Sequence, residues 1–315
     1  MTRRDLLISV PVLARAQSGH RIQRLRIQVL STMLVSDLNT TGEWGFAAII
    51  DADGHRILFD TGGHPDTVLH NARELGIDLS GVTDVVLSHH HADHTAGLLT
   101  LRKKAMAVNS RALSRVHAAR GIFWSGTGTR ESPAAAPAIR QAYEQTRGKF
   151  IEYDKPVELF PAMWLTGPVP RKYPERNWST SGRVKTPQGM VEDDIPEDTT
   201  AVFDTDRGLV VLSGCGHAGI VNTIEYATSV VRKAPVHAAI GGFHLFPLDD
   251  EKLNWTADKL RGFGLENFLG VHCTGIEATY RIRERAGLGR KTCAAGAVGA
   301  TFELGKGLKP GVIAQ

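Results

Sequence analysis

The sequence Ser88-His89-His90-His91-Ala92-Asp93-His94 decides which fold this chain can adopt. It follows Val85-Val86-Leu87, a short apolar run that predicts a strand buried on both of its faces. A helix is predicted to begin at Thr95, with the leucines at positions 98, 99 and 101 directed inward. Four residues of metal-binding type therefore fall within six positions at the end of a buried strand, and a solvated histidine-rich turn seldom has that context.

The spacing of these side chains indicates two adjacent cation sites. His89 and His91 are two positions apart, so on an extended segment both side chains lie on the same side and can reach one cation. His90 points the other way. Asp93 and His94 follow where the chain turns into a helix, and they can reach a second cation. Imidazole nitrogen and carboxylate oxygen suit zinc, with manganese and iron as alternatives.

Two halves of the chain repeat one arrangement, in which a strand or hairpin runs into a loop that carries histidine. In the first half, alternating or compact apolar runs predict strands at residues 22–35, 46–50 and 56–59, followed by a helix at residues 67–75. In the second half, strands are predicted at residues 199–203, 209–212, 236–240 and 267–271, and a helix is predicted at residues 221–232. The strand ends of the second half lead into His217, His244 and His272.

These two strand-rich halves predict an α/β fold of the four-layer αβ/βα type. Two mixed sheets pack face to face, helices cover their outer sides, and the ligands come from loops at one edge of the sheets. The region between the halves, residues 121–155, looks less regular. Within it, residues 132–137 are biased in composition and predict either a surface loop or the start of a helix over the site.

Composition excludes several classes of protein. The chain is 42% hydrophobic and 22% charged, as expected of a soluble globular protein and not of a disordered or fibrous one. The net charge is +4 without a run of five or six basic residues, which argues against nucleic acid as a partner. No run of eighteen apolar residues occurs, so no membrane-spanning helix is predicted. We expect a small-molecule substrate. The composition is also compatible with a local basic pocket that binds an anionic substrate.

The cysteines and the N-terminal segment bear on cellular location. Three cysteines, none in a CxxC pair, exclude a fully disulfide-bonded framework. Arg3-Arg4 precedes the apolar residues 6–13, and Ala14-Arg15-Ala16 resembles a small-x-small cleavage site. Residues 1–20 are thus either a twin-arginine signal, which predicts export to the periplasm, or a mildly amphipathic N-terminus of a cytoplasmic protein. We assign residues 21–315 to one domain.

The central sequence, together with Phe59-Asp60-Thr61-Gly62 before it, resembles the signature of the metallo-β-lactamase superfamily. Four further stretches are similar to one subgroup, the metallohydrolases related to dihydropterin–ribofuranosylaminobenzene-phosphate synthase. These stretches are residues 165–171, 211–222, 241–245 and 272–275. The likeness runs from about Arg24 to about Ala300. The first motif marks the superfamily, and the later stretches together mark the subgroup.

The resemblance implies a dinuclear metal site and a hydrolytic reaction. The implied ligands of the first ion are His89, His91 and His217, and those of the second are Asp93, His94 and His272. Two zinc ions are implied, with a bridging hydroxide as the nucleophile on a small ester, lactone, amide or phosphoester. Many members of the superfamily supply a bridging aspartate from a Gly-Asp pair, but Gly214 is followed here by Cys215. We leave Cys215 outside the predicted ligands, because buried cysteines are more often inert packing residues.

Further side chains are candidates for supporting roles. Asp60 is predicted to accept a hydrogen bond from a ligand imidazole, the alternative being a turn or helix-capping residue. Asp93 and His244 are the catalytic candidates, with His244 as a proton donor, a substrate contact or a structural histidine. Arg171 is either a clamp for a phosphate or carboxylate of the substrate or a solvated charge. Glu43 lies on a loop that could border the site.

Three other functions compete with hydrolysis of a small molecule. A nuclease of the same superfamily lacks support, because the chain has no dense basic stripe. A di-iron redox protein could use the same ligands. A non-catalytic sensor or ligand-binding protein would bind metal without turning over any substrate.

Overall fold

The computed structural model describes residues 19–178 and 182–314, so the predicted signal segment lies outside the described residues except for its last two positions. The strands are β1 (Leu25–Ser31), β2 (Ala47–Ala52), β3 (His55–Phe59), β4 (Asp84–Val86), β5 (Arg115–Ala119), β6 (Lys149–Tyr153), β7 (Val157–Phe160), β8 (Met163–Leu165), β9 (Arg183–Thr186), β10 (Gly189–Glu192), β11 (Thr200–Thr205), β12 (Gly208–Ser213), β13 (Val236–Gly241), β14 (Asn267–Gly270), β15 (Cys293–Ala295), β16 (Thr301–Glu303) and β17 (Gly307–Lys309). The helices are α1 (Thr67–Glu74), α2 (Ala92–Thr95), α3 (Leu98–Met106), α4 (Ala136–Glu144), α5 (Ile220–Val230), α6 (Asp250–Gly262) and α7 (Ile276–Arg285).

Two large mixed sheets dominate the described part of the chain. The eight-stranded sheet has the order β17-β16-β1-β2-β3-β4-β5-β6, and the seven-stranded sheet has the order β15-β14-β13-β12-β11-β8-β7. In each sheet an antiparallel hairpin, β2–β3 or β11–β12, continues into parallel strands. A separate small hairpin pairs β9 with β10.

Alternation of side chains along the strands builds four layers. Ile50 on β2 and Leu212 on β12 lie in one buried cluster between the two sheets. Their neighbours Ile49 and Val211 face outward, into separate clusters under the helices. Because successive side chains on a strand point to opposite faces, each sheet is buried on both sides. Helices α1, α3 and α4 contribute to the cluster outside the first sheet, and α5, α6 and α7 contribute to the cluster outside the second. The predicted four-layer αβ/βα sandwich is confirmed.

Parallel pairing brings the loops with metal-binding residues to one edge of each sheet. β3 and β4 run parallel, and so do β12, β13 and β14, so their carboxyl ends lie side by side. The residues that follow these five strand ends are Asp60, His89, Cys215, His244 and His272. None of the described helices is both long enough and apolar enough to cross a membrane.

The central region is more regular than the sequence indicated. It contains α4 and β6, and its biased segment is a loop that becomes a helix at Ala136. The backbone N–H of Ala136 donates to the carbonyl of His90, and the hydroxyl of Thr95 donates to the carbonyl of Ala134. This segment therefore packs directly against the histidine-rich loop.

Candidate metal centre

The structure brings the six predicted metal ligands together. The ligand atoms of His89, His91 and His217 lie within 4.8 Å of one another, and so do those of Asp93, His94 and His272. The two groups adjoin, because the imidazole centroids of His89 and His94 are 4.3 Å apart. Loops from both sheets thus contribute to one cluster.

The nitrogen atoms of this cluster suit a metal cation. Five buried Nε2 atoms have no hydrogen-bond partner among the described residues, and they belong to His89, His91, His94, His217 and His272. A buried polar atom without a partner typically costs about 1–3 kcal/mol, so such atoms are rare and call for an explanation. Imidazole nitrogens that face one another beside a carboxylate are the donors that zinc and similar cations accept.

The histidines of the first group are held in the neutral form that binds metal. Burial, followed by repulsion from the neighbouring imidazoles, lowers the pKa of His89 and of His217 well below the ordinary value. Burial likewise lowers the pKa of His91 to about 3, with repulsion from His90 as a smaller contribution. Their nitrogens are therefore free to donate a lone pair at neutral pH.

The second group carries the negative charge. Burial alone would raise the pKa of Asp93, but the imidazoles of His94 and His272 outweigh it and lower that pKa well below its usual range. The Asp93 Oδ2 atom lies 3.3 Å from His272 Nε2 and 3.7 Å from His94 Nε2. Burial opposes protonation of His272, yet Cys273 and Asp93 raise its pKa to about 10. A proton and a metal ion therefore compete for this imidazole.

Asp60 orients one imidazole of each group. Its Oδ2 atom accepts hydrogen bonds from His94 Nδ1 and from the Ser88 hydroxyl, both at 2.7 Å. The Ser88 hydroxyl in turn lies 2.9 Å from His89 Nδ1. With both Nδ1 atoms acting as donors, the lone pairs of both Nε2 atoms point into the cluster. Asp60 has a φ of 55°, a left-handed conformation that is uncommon for residues other than glycine.

A second support for the cluster was missed in the sequence. His217 Nδ1 lies 2.5 Å from the carbonyl oxygen of Asn177. The preceding Glu175 accepts hydrogen bonds from the first N–H groups of α5, those of Val221 and Asn222. Glu175 is buried, and burial raises its pKa to about 7. It therefore ties the segment that orients His217 to the start of the next helix.

Asp198 is another buried acid beside the centre. One oxygen accepts a hydrogen bond from the N–H of Ala218 at 2.7 Å, and the other has no partner among the described residues. Burial raises the pKa of Asp198 to about 7. No local sequence signal pointed to it, because the acidic segment of residues 192–198 before β11 includes no histidine or cysteine.

Cys215 lies where the two groups meet. Its Sγ atom is within 4.8 Å of ligand atoms of His89 and His94, and it also belongs to a group with His272 and Cys273. The Sγ atoms of Cys215 and Cys273 are 3.0 Å apart. Cys215 is thus within reach as a donor, although packing statistics had favoured an inert role.

His244 also lies beside the cluster. Its imidazole centroid is 4.6 Å from that of His217, and its Nδ1 atom is 3.6 Å from Cys215 Sγ. The two preceding glycines permit this approach, because a Cβ at Gly241 would lie 1.9 Å from the Ser213 carbonyl oxygen, and the fit at Gly242 is similarly tight. His244 is only half-buried.

Arg171 and Glu43 have internal partners. The Arg171 guanidinium donates to the carbonyls of Asp194 and Ile195 and lies 5.3 Å from the ring centroid of Trp178. It is thus engaged with the loop before β11, and its role as a substrate clamp stays a prediction. The Glu43 carboxylate accepts hydrogen bonds from the N–H groups of Gly63 and His64, so it joins two loops near the cluster.

Comparison with known protein families settles the membership of this chain. Residues 44–231 match the family model described as the metallo-beta-lactamase superfamily. The chain belongs to this superfamily. The predicted membership is therefore confirmed, and with it the expectation of an enzymatic, metal-binding family.

Three relatives show how far the likeness extends. The 7,8-dihydropterin-6-methyl-4-(beta-D-ribofuranosyl)-aminobenzene-5'-phosphate synthase of Methanocaldococcus jannaschii is 28% identical over 74% of this chain and 82% of its own length. The solved structure of Tm1679, described as a metal-dependent hydrolase of the beta-lactamase superfamily, is 30% identical, with a TM-score of 0.67 over 84% of this chain and 94% of that one. YhfI from Bacillus subtilis, a metallo-beta-lactamase fold protein, shares the fold at 12% identity, with a TM-score of 0.51 over 89% of this chain and 99% of that one.

In this superfamily member, Asp60→Asn is expected to weaken metal binding by about 10- to 100-fold, because the amide nitrogen cannot accept a hydrogen bond from an imidazole. Zinc titration against a chromophoric chelator measures the affinity. Asp51→Asn is the matched control, since Asp51 pairs with Arg56 on the surface of the same sheet and should leave the affinity unchanged. Equal affinities in the two variants would show that Asp60 does not orient the ligands.

Proposed function

We propose that the chain is a metal-dependent hydrolase that binds two zinc ions and cleaves a small ester, lactone, amide or phosphoester. The observation that carries this proposal is the pair of adjoining ligand groups, whose five buried Nε2 atoms make no hydrogen bond within the described residues. The 30% identity to a structure described as a metal-dependent hydrolase supports the same function.

The two ligand groups and two neighbouring residues have separate roles in the proposed reaction. His89, His91 and His217 hold one ion, and Asp93, His94 and His272 hold the other. When bound, divalent cations lower the pKa of water and polarise the electrophile. Asp60 keeps the imidazole of His94 in the tautomer that carries its proton on Nδ1. The half-buried His244 donates a proton to the leaving group.

The donor set favours zinc over manganese. The two ligand groups together offer five imidazoles and one carboxylate. Imidazole suits zinc and iron, whereas manganese prefers carboxylate, carbonyl and water oxygens. Iron would instead accord with the redox alternative.

A bond-forming reaction is the second candidate. The relative from Methanocaldococcus jannaschii is named as a synthase, and its 28% identity covers most of both chains. Such an enzyme would retain the metal ligands yet show no hydrolysis of simple substrates.

A substrate panel with defined metal content tests the proposal. Zinc-loaded protein is assayed on esters, lactones, phosphodiesters and β-lactams, before and after removal of zinc by a chelator. We expect turnover of at least one class, lost with the metal and restored by zinc. Full metal content without turnover on any class would instead favour the sensor or the synthase.

His244→Ala separates a proton donor from a structural histidine. We expect kcat to fall by about 100-fold, because general acid catalysis typically contributes 10²–10⁴-fold, while zinc content stays at the wild-type level. The measurement is kcat across pH together with metal analysis. His70→Ala is the control, since His70 lies on the exposed side of α1. A wild-type kcat in His244→Ala would exclude the proton-donor role.

A further inference from the structure

Two large aromatic side chains are half exposed beside the metal centre. Trp44 is 50% exposed and Phe246 is 51% exposed. Their rings meet edge to face, with centroids 5.6 Å apart and an interplanar angle of 82°. The centroid of Trp44 is also 5.2 Å from that of His272, and Phe246 is 5.2 Å from His244. The two rings therefore continue the rim of the centre outward from both halves of the chain.

Both rings stand on backbone that is fixed in place. A Cβ at Gly45 would lie 2.5 Å from the Gly63 nitrogen, so the loop after Trp44 packs tightly against the loop after β3. The N–H of Phe246 donates to the carbonyl of Cys273 at 3.3 Å, and a Cβ at Gly275 would come within 2.9 Å of the Phe246 Cβ. The loops that hold the rings are thus the loops around the metal ligands.

This placement differs from ordinary surface exposure of apolar residues. Single exposed hydrophobic side chains are common and need no explanation. Here two aromatic rings touch each other and also touch imidazoles of a polar centre. In an edge-to-face pair, one ring contributes an edge and the other contributes a face. Other surfaces of both rings are therefore available to contact a further ring.

The subsite is suited to an uncharged group. Among the described residues, the arginine and lysine side chains that lie over aromatic rings do so at Phe123, Tyr173, Trp178, Trp255 and Tyr280, and not at Trp44 or Phe246. Arg171 is engaged with the carbonyls of Asp194 and Ile195. The open ring surfaces thus offer no arginine or lysine to a ligand and favour a planar apolar group.

We propose that Trp44 and Phe246 form a binding subsite for a planar aromatic group of the substrate, next to the bond that is cleaved. This inference rests on the proposed hydrolase function and names its substrate class as aromatic esters and related acyl or phosphoryl compounds. The two residues determine specificity and take no part in the bond cleavage itself.

Two esters that differ only in aromaticity test the subsite. Benzyl acetate and cyclohexylmethyl acetate have similar size and similar leaving groups, so a difference in kcat/KM reports recognition of the ring. We expect the wild type to prefer the benzyl ester by about 3- to 10-fold, as one aromatic pair contributes on that scale. Trp44→Ala and Phe246→Ala should remove the preference, through a higher KM for the benzyl ester.

Controls separate the subsite from the metal centre and from turnover. Trp44→Phe keeps a ring and should keep the preference, and Met190→Ala removes a similarly exposed side chain on the β9–β10 hairpin and should change nothing. Binding of benzyl alcohol, followed by saturation-transfer NMR in the zinc-loaded protein, needs no turnover. If the zinc-loaded protein hydrolyses neither ester and no class of the substrate panel above, but Trp44→Ala and Phe246→Ala lose this binding, the hydrolase proposal fails while the subsite stands. Unchanged ester preference and unchanged benzyl alcohol binding in both alanine variants would overturn the subsite.

Discussion

Asp93→Ala is expected to lose metal and hydrolytic activity together, with kcat/KM reduced by about 1,000-fold or more. Asp93 supplies the carboxylate of the second ligand group, and its Oδ2 atom lies 3.3 Å from His272 Nε2. Without it, a cation there would be held by imidazoles alone, and the Lewis-acid contribution of several kcal/mol would be lost. Metal analysis by plasma mass spectrometry and steady-state kinetics measure both effects.

The same outcome is expected for His91→Ala, because His91 belongs to the other ligand group. Asp51→Ala is the control for a carboxylate on the protein surface. Activity at the wild-type level in Asp93→Ala or His91→Ala would refute the assignment of these residues as ligands.

Arg130→Met is expected to lower the free energy of unfolding by about 3–5 kcal/mol. The buried Arg130 guanidinium donates to both oxygens of Asp193, at 2.6 and 2.9 Å, and to Glu197 at 2.8 Å. Glu197 also lies 2.6 Å from His90 Nδ1, so this network reaches the histidine-rich loop. Methionine fills much of the volume but leaves two buried carboxylates without their cation.

Urea unfolding of the purified protein measures this change. Arg56→Met is the matched control, because Arg56 forms an exposed pair with Asp51 across β2 and β3 and its loss should cost about 1 kcal/mol or less. A similar loss in the two variants would show that the buried network contributes no special stability.

The sequence predicted those features that depend on short-range pattern. The spacing of His89, His91, Asp93 and His94 determines which side chains converge, because these residues lie on one strand end and one helix start. The two hairpins followed from compact apolar runs and from the turn residues between them. The resemblance then added His217 and His272, which no local pattern connects to the first motif.

The features that the sequence did not predict depend on contacts between distant segments. Glu175 is 46 residues from Val221, and Arg130 is 63 residues from Asp193. No periodicity encodes such pairs, so neither contact was predicted. The left-handed backbone of Asp60, His244 and His272 was equally hidden, since φ is positive there without glycine.

The exposure of Trp44 could not be read from its sequence context either. Trp44 and Phe46 are both aromatic and lie two positions apart, yet Phe46 is buried and Trp44 is half exposed. Only the fold shows that Trp44 lies at the rim of the centre.

Zinc content of His217→Ala and His272→Ala tests most directly the central claim, that ligands from separate loops converge on a pair of ions. The two histidines come from different loops of the second sheet, and each belongs to a different ligand group. We expect about two zinc ions per wild-type chain and the loss of about one ion in each variant, measured by plasma mass spectrometry after removal of loosely bound metal. Unchanged zinc content and affinity in both variants would contradict the shared centre.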